Sequence, residues 1–232
     1  MDIEGTTTPI AFVHEVLFPY ARARVREYLA QHADDPAVRA DVALLRAEYA
    51  RESPLPDLPP WNASDELAST EAYVYWLMDR DRKSTGLKSL QGRIWEAGYR
   101  AGELKGKGEV YPDVRPALAR WRDAGKTIAI FSSGSVQAQR SLFANTTAGD
   151  LSAFLSGYFD TTTGPKREAA SYRRIAAALH RPPEDVLFVS DVVAELDAAR
   201  AAGMHTALCV RGSVPGDATT AHPRVRSFAE LA

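Results

Sequence analysis

The sequence predicts an α/β protein: a doubly wound, parallel, Rossmann-like sheet interrupted near its start by an all-helical insertion. Three observations predict it. From about residue 111 onward, β-branched segments alternate with amphipathic helical ones, the order that builds parallel sheets through crossover connections. From about residue 10 to 107, apolar residues recur at intervals of three and four with no strand-period stretch. Ahead of both stands a short acidic cluster, Asp2 and Glu4 in MDIEGTTT, which reads as the first piece of a core that resumes after the helices.

The elements follow in order. FVHEVLFPYARARVREYLAQH is helical, with Pro19 marking a break or a new first turn. DPAVRADVALLRAEYARE is a second helix, opened by the cap and first-turn pair Asp35-Pro36. The Pro-rich connector SPLPDLPPWNAS separates these from a third helix, SDELASTEAYVYWLMDRDR. A fourth, in KSTGLKSLQGRIWEAGYRAGELKGKGEV, ends among glycines. Then come the helix DVRPALARWRDAG, closed by Gly125, the strand KTIAIFSS, the helix SVQAQRSLFAN, and LSAFLSGYFD leading to a turn. KREAASYRRIAAALH (helix), DVLFVSD (strand), VVAELDAARAAG (helix) and HTALCVR (strand) complete the alternation. The expected division is an α/β core of residues 1–9 and 109–232, with a helical cap of residues 10–108.

Bulk composition narrows the function. A chain of 232 residues can bury one core with a sizeable insertion, and 45% hydrophobic with 25% charged residues is ordinary for a folded protein. A net charge of −2 gives no electrostatic reason to expect nucleic acid or an anionic membrane. The single cysteine, Cys209 in HTALCV, excludes an intramolecular disulfide and suits a buried strand in a reducing compartment. No segment approaches the ~20 apolar residues of a membrane span, and no basic patch leads into an apolar run at the start. A cytoplasmic protein is expected.

In a doubly wound sheet, ligands bind beyond the carboxyl ends of the strands. Ser132 and Ser133 follow KTIAIF, Lys166 follows the loop after FDTTTGP, Asp191 follows DVLFVS with Glu195 one helical turn on, and Asp2 and Glu4 lie at the start. These groups suit phosphoryl transfer. A carboxylate beside Mg²⁺ can attack phosphorus and form an aspartyl phosphate that water then cleaves. Mg²⁺ takes one or two carboxylates plus water and phosphate oxygens, which Asp2 and Asp191 on neighbouring strand ends would satisfy. An acid two residues beyond the nucleophile can protonate the leaving oxygen and later activate water. Ser133 and the helix start behind it offer donors to phosphate, and Lys166 offsets its charge. Each residue has a plainer reading alone: a solvated terminus, a helix cap, a surface lysine. Their coincidence at four strand ends is what argues for chemistry.

The order Asp-x-acid-Gly-Thr, strand-Ser, Lys, strand-Asp resembles the haloacid dehalogenase superfamily of aspartate-nucleophile phosphatases. The longer stretches DIEGTTTPIAFVHEVLFPYA, KSTGLKSLQGRIWEAGYRAGEL, VYPDVRPALARW, FSSGSVQAQRSLF and VSDVVAELDAARAAGM resemble the enolase-phosphatases of methionine salvage. The resemblance implies Asp2 as nucleophile and metal ligand, and Glu4 as acid/base that also lends its backbone carbonyl to the metal. It implies Ser132, Ser133 and Lys166 as phosphate-binding residues, and Asp191 as the remaining protein ligand of a single Mg²⁺. It further implies a monomer that enolises 2,3-diketo-5-methylthiopentyl-1-phosphate and then dephosphorylates it to the acireductone. For the enolisation, Lys88, Arg93 and Glu96 are candidates, each also readable as surface charge on an amphipathic helix. His14 reads as cap surface or packing.

Two other readings stay open: a phosphomonoesterase of the same core without the enolase step, and a non-catalytic phosphate-binding protein. A carbon–halogen dehalogenase would not need the metal site that Glu4 and Asp191 supply. The non-catalytic reading arises because the nucleophile of such a core ends a central strand, which needs about five apolar residues before it, and here only Met1 precedes Asp2. The first core strand is expected to be missing from this sequence, with a native start farther upstream. Such a gap should cost several kcal/mol of apolar burial.

Overall fold

The computed structural model describes residues 1–52, 55–82, 84–212 and 221–231. Its chain contacts divide it into two compact units, one of Met1–Val13 with Gly102–Ala232 and one of His14–Ala101.

The second unit is helical: α1 (Phe18–Gln31), α2 (Pro36–Glu52), α3 (Glu66–Asp79) and α4 (Thr85–Arg100). Pro19 sits in the first turn of α1, directly behind a π-helical turn that ends at Leu17, so it marks a change of helical pitch rather than the end of a helix. Asp65 accepts from the Ala68 N–H to cap α3, and Ser84 from the Leu87 N–H to cap α4, each meeting an N–H that the helix leaves unpaired. Val25 and Leu29 on α1, Leu45 on α2, and Leu87, Leu90 and Ile94 on α4 are buried together with Tyr73, Val74 and Leu77 of α3. The three-and-four spacing read from the sequence thus becomes one apolar core. Helix α4 stops at Arg100, ahead of Gly102 and Gly106, whose φ values of +82° and +67° lie in the left-handed region that ends helices.

The first unit is α/β. In chain order it contains α5 (Val114–Asp123), β1 (Ala129–Phe131), α6 (Val136–Ala144), β2 (Gly157–Phe159), α7 (Ala169–Ala178), β3 (Leu187–Ser190), α8 (Val193–Ala201), β4 (His205–Cys209) and β5 (Arg224–Val225). Among the described residues the strand pairings are parallel: β1 with β2, β3 with β4, and β4 with β5. Two strands differ from the sequence expectation. LSAFLSGYFD leads not only to a turn but forms β2, which opens on glycine and gains its strand character by pairing with β1. The two-residue β5 is too short for any periodicity to announce it.

The sheet lies in two pieces, β1-β2 and β3-β4-β5, and the start of the chain bridges them. The Met1 ammonium donates to the Ala129 carbonyl at 2.9 Å, and the Phe131 N–H donates to the Met1 carbonyl at 3.0 Å. On the other side, the Asp2 N–H donates to the Val189 carbonyl at 2.9 Å. The order is therefore β2-β1-(Met1–Asp2)-β3-β4-β5, and the crossovers reverse direction at the two-residue bridge. Below it, no strand among the described residues lies between β1 and β3. A cavity of about 460 Å³ is lined there by Ile130 and Phe131 on one side and Phe188 and Val189 on the other, with Met1 and Tyr172. Burial pushes the Met1 ammonium down to about 5, as expected for a charge held in an apolar slot.

Candidate active site

Asp2 stands at the point where the sheet reverses, and the fold gathers charge around it. Lys166 Nζ lies 2.7 Å from Asp2 Oδ1 and 2.6 Å from Glu195 Oε2. Ser190 Oγ lies 3.2 Å from Asp2 Oδ2 and 3.1 Å from Glu195 Oε2. It also accepts the Val192 N–H at 3.1 Å. The Ile3 N–H donates to Asp2 Oδ1 at 2.8 Å, so both oxygens of that carboxylate are held.

Each partner has its own support. Lys166 precedes α7 rather than opening it. It is fixed by its carbonyl, which accepts from Tyr172 Oη at 2.7 Å, while the preceding Pro165 carbonyl accepts from Ser171 Oγ at 2.8 Å. Asp191 directly follows β3, and Glu195 lies in the first turn of α8. Asp2, Ser190 and Glu195 are all buried. Glu195 and Ser190 complete the cluster that Asp2 and Lys166 begin. One turn of helix beyond Asp191 signals Glu195 in the sequence, whereas nothing there marks Ser190 apart from its neighbours.

Electrostatics sharpen this arrangement. Burial pushes the Glu195 carboxyl up to about 7, the Asp2 charge adding to the shift and Lys166 opposing it. Burial, then the Asp2 charge, raises Asp191 as well. Burial alone would lower the Lys166 ammonium, but the charges of Asp2 and Glu195 outweigh it and hold it above its ordinary value. One ammonium therefore faces three buried or half-buried carboxylates, an excess of negative charge that a cation would relieve.

The residues fit a divalent cation. Asp191 Oδ1 is buried without a hydrogen-bond partner among the described residues, a cost seldom left unmet in an interior. Gly5, at φ +67°, packs so closely on Asp191 that an added Cβ would lie 2.2 Å from Oδ2. Only glycine suits that position, both for its backbone and for its space. Among the described residues, no three His, Cys, Asp or Glu side chains form a metal-binding group. A cation would thus rest on Asp2 and Asp191 together with main-chain and non-protein oxygens, the set Mg²⁺ prefers.

On the β1 side, Ser132 is buried. Its N–H donates to the Phe159 carbonyl at 3.1 Å, and its Oγ accepts the Gly134 N–H at 3.3 Å. Ser135, not Ser132 or Ser133, caps α6, so the two earlier serines are not spent on capping. Ser133 is half-buried in the intervening turn. Asp160, at the end of β2, accepts from the Val136 N–H at 3.1 Å and the Thr162 N–H at 2.9 Å. It thereby ties the start of α6 to the loop that carries Lys166. Glu4 is exposed, while its neighbours from Asp2 to Thr8 are buried.

Within the helical unit, Arg93 Nε lies 2.6 Å from Oδ2 of the buried Asp41, and Glu96 pairs with Arg100 at 2.6 Å. Both are thus engaged inside that unit, while Lys88 is half-buried on the same helix. His14 makes an edge-to-face contact with Phe18, their centroids 5.3 Å apart. Among the described residues, no helix is long and apolar enough to cross a membrane.

Residues 1–203 match the haloacid dehalogenase-like hydrolase family. The Enolase-phosphatase E1 of Synechococcus elongatus is 58% identical over 234 residues, covering 100% of this chain and 95% of its own. That of Sorangium cellulosum is 49% identical over 233 residues, with the same shares covered. Among solved structures, the Unknown transcript 4 protein of Saccharomyces cerevisiae superposes with a TM-score of 0.75 at 32% identity, covering 99% of this chain and 97% of that one.

Proposed function

Because the chain belongs to the haloacid dehalogenase-like hydrolases, and within them to the enolase-phosphatases, we propose that it enolises 2,3-diketo-5-methylthiopentyl-1-phosphate and then dephosphorylates it to the acireductone. The observation that supports this most is the buried cluster of Asp2, Lys166, Ser190 and Glu195 at converging strand ends. A surface of solvated charges would not be held this way.

In the phosphatase step, an Asp2 carboxylate oxygen attacks phosphorus, the bond to the substrate oxygen breaks, and Glu4 supplies the proton that oxygen needs. Glu4 then takes a proton from water, which attacks the aspartyl phosphate and frees phosphate and Asp2. Exposure keeps Glu4 open to water, as this alternation of acid and base requires. Lys166, held charged, and the hydroxyls of Ser132 and Ser133 bind the phosphate oxygens. Lys166 also contacts Asp2 directly at 2.7 Å, which holds that carboxylate in place. A single Mg²⁺, held by Asp2, Asp191 and the Glu4 carbonyl, would supply charge neutralisation between nucleophile and phosphate. Glu195 and Ser190 orient Lys166 and Asp2 and do not meet phosphorus. The enzyme acts as a cytoplasmic monomer.

Incubation with the diketone phosphate tests the reading. Phosphate should appear with Mg²⁺, preceded by an enol absorbance. Phosphate release from simple monoesters at an equal rate, with no enol, would replace it with a general phosphomonoesterase.

A further inference from the structure

Asp113 occupies the N-cap position of α5, yet its carboxylate makes no cap hydrogen bond. An aspartate there normally accepts from its own helix. Here both oxygens are turned away. Oδ1 and Oδ2 accept from Arg211 Nη1 at 2.8 and 2.6 Å, and Oδ2 also accepts from Ser227 Oγ at 3.0 Å and the Phe228 N–H at 2.6 Å. Although burial works the other way, the Arg211 hydrogen bond and these donors hold the Asp113 carboxyl below its usual value.

Arg211 is almost fully buried, with 8% of its side chain exposed. Its guanidinium lies 4.3 Å from the Tyr111 ring centroid and 4.5 Å from that of Phe228, so it is clamped between two aromatic faces. Its Nε–H donates to the Thr6 carbonyl at 2.8 Å, which Cys209 Sγ also approaches at 4.0 Å. Thr6 belongs to the tight turn that follows Asp2. In that turn the Ile3 carbonyl accepts the Thr6, Thr7 and Thr8 N–H groups, and the Gly5 N–H donates to the Thr8 carbonyl. The turn carries Gly5 against Asp191.

We propose that Arg211, braced by Asp113, is a positioning residue for the reaction: by holding the Thr6 carbonyl it sets the Asp2–Gly5 turn against Asp191 and so fixes the spacing of the two carboxylates. This rests on the functional reading above, but its physical content is the metal affinity of the carboxylate pair. Removing the tie frees the turn to drift from Asp191, and a shift of a fraction of an ångström weakens a site that demands near-ideal geometry.

A control is available in the same region. Arg120 Nη2 donates to the Phe228 and Leu231 carbonyls at 2.9 and 2.7 Å, anchoring the same C-terminal segment with no hydrogen bond to the turn among the described residues. Mg²⁺ binding to the full chain would be measured by calorimetry for the wild type, Arg211→Met, Arg211→Lys and Arg120→Met, alongside Tm, kcat and KM. Arg211→Met should weaken Mg²⁺ about tenfold or more and lower kcat about tenfold or more with KM within about threefold. Arg211→Lys, which keeps the charge but not the forked reach, should fall between. Arg120→Met should lower Tm and leave Mg²⁺ affinity within about threefold. If Arg211→Met does not fold, Arg211→Lys decides: a folded protein with weakened Mg²⁺ binding supports the assignment, and wild-type affinity overturns it. Equal loss of affinity in the Arg120 and Arg211 variants, or a change in Tm alone, also overturns it. A wild type that binds Mg²⁺ but leaves the diketone phosphate unchanged would sink the functional reading while still allowing this comparison.

Discussion

Two buried charge clusters, one in each unit, show how differently the same residue types can be used. In the helical unit Arg93 meets Asp41 directly at 2.6 Å, and Asp35 adds a weaker charge interaction. In the α/β unit a single ammonium, Lys166, is shared by Asp2 and Glu195 with Asp191 close by. The first is dominated by one direct pair. The second is over-supplied with negative charge, and burial, with the Asp2 charge added, pushes Glu195 up to about 7. Balanced burial marks a structural pair, whereas an excess of buried charge marks a candidate functional site.

Removing the central cation should break the comparison most. Lys166→Met leaves buried carboxylates facing one another and should cost about 3–5 kcal/mol of metal-free stability near pH 8. It should also lower phosphate release about a hundredfold or more. Denaturant unfolding and a phosphate assay read the two effects. Retained stability would show that Lys166 does not balance the cluster.

In the balanced pair, Arg93→Met should cost about 1–3 kcal/mol by leaving Asp41 buried and unpaired, with kcat within about threefold of wild type. The double variant Arg93→Met, Asp41→Leu should recover most of that loss. A large fall in kcat with unchanged stability would instead favour Arg93 as an enolisation residue.

The smallest effect is a pH dependence. Burial raises the folded-state pKa of Glu195 to about 7 from an ordinary 4.5, so the folded chain holds this proton more tightly than the unfolded one. The stability it contributes is fully present below about 4.5 and is lost as pH rises towards 7. Metal-free Glu195→Gln should therefore gain Tm relative to wild type between pH 5 and about 7.5. The Met1 ammonium, lowered to about 5, works in the opposite sense but is common to both proteins. A constant Tm difference across that range would contradict the assignment.

Much of this was legible in the sequence, for identifiable reasons. Helices such as α4 carry a long apolar stripe, Leu87, Leu90 and Ile94, and a long periodic signal survives tertiary context. Ser132, Lys166 and Asp191 were legible because each directly follows a strand or its loop. The three-residue β2 and two-residue β5 were not, since pairing partners rather than side-chain pattern make them strands. Ser190 and Arg211 were hidden for a related reason. Their partners lie 188 and 205 residues away in sequence, so only the closed fold reveals what they hold. The acidic start was legible as a partner of the strand ends, and Lys166 does meet Asp2 there.

The account turns on Asp2 as the attacking carboxylate, and one measurement addresses it most directly. Mg²⁺-dependent phosphate release from the diketone phosphate should fall at least about a thousandfold in Asp2→Asn. Equal rates in the variant and the wild type would contradict the assignment.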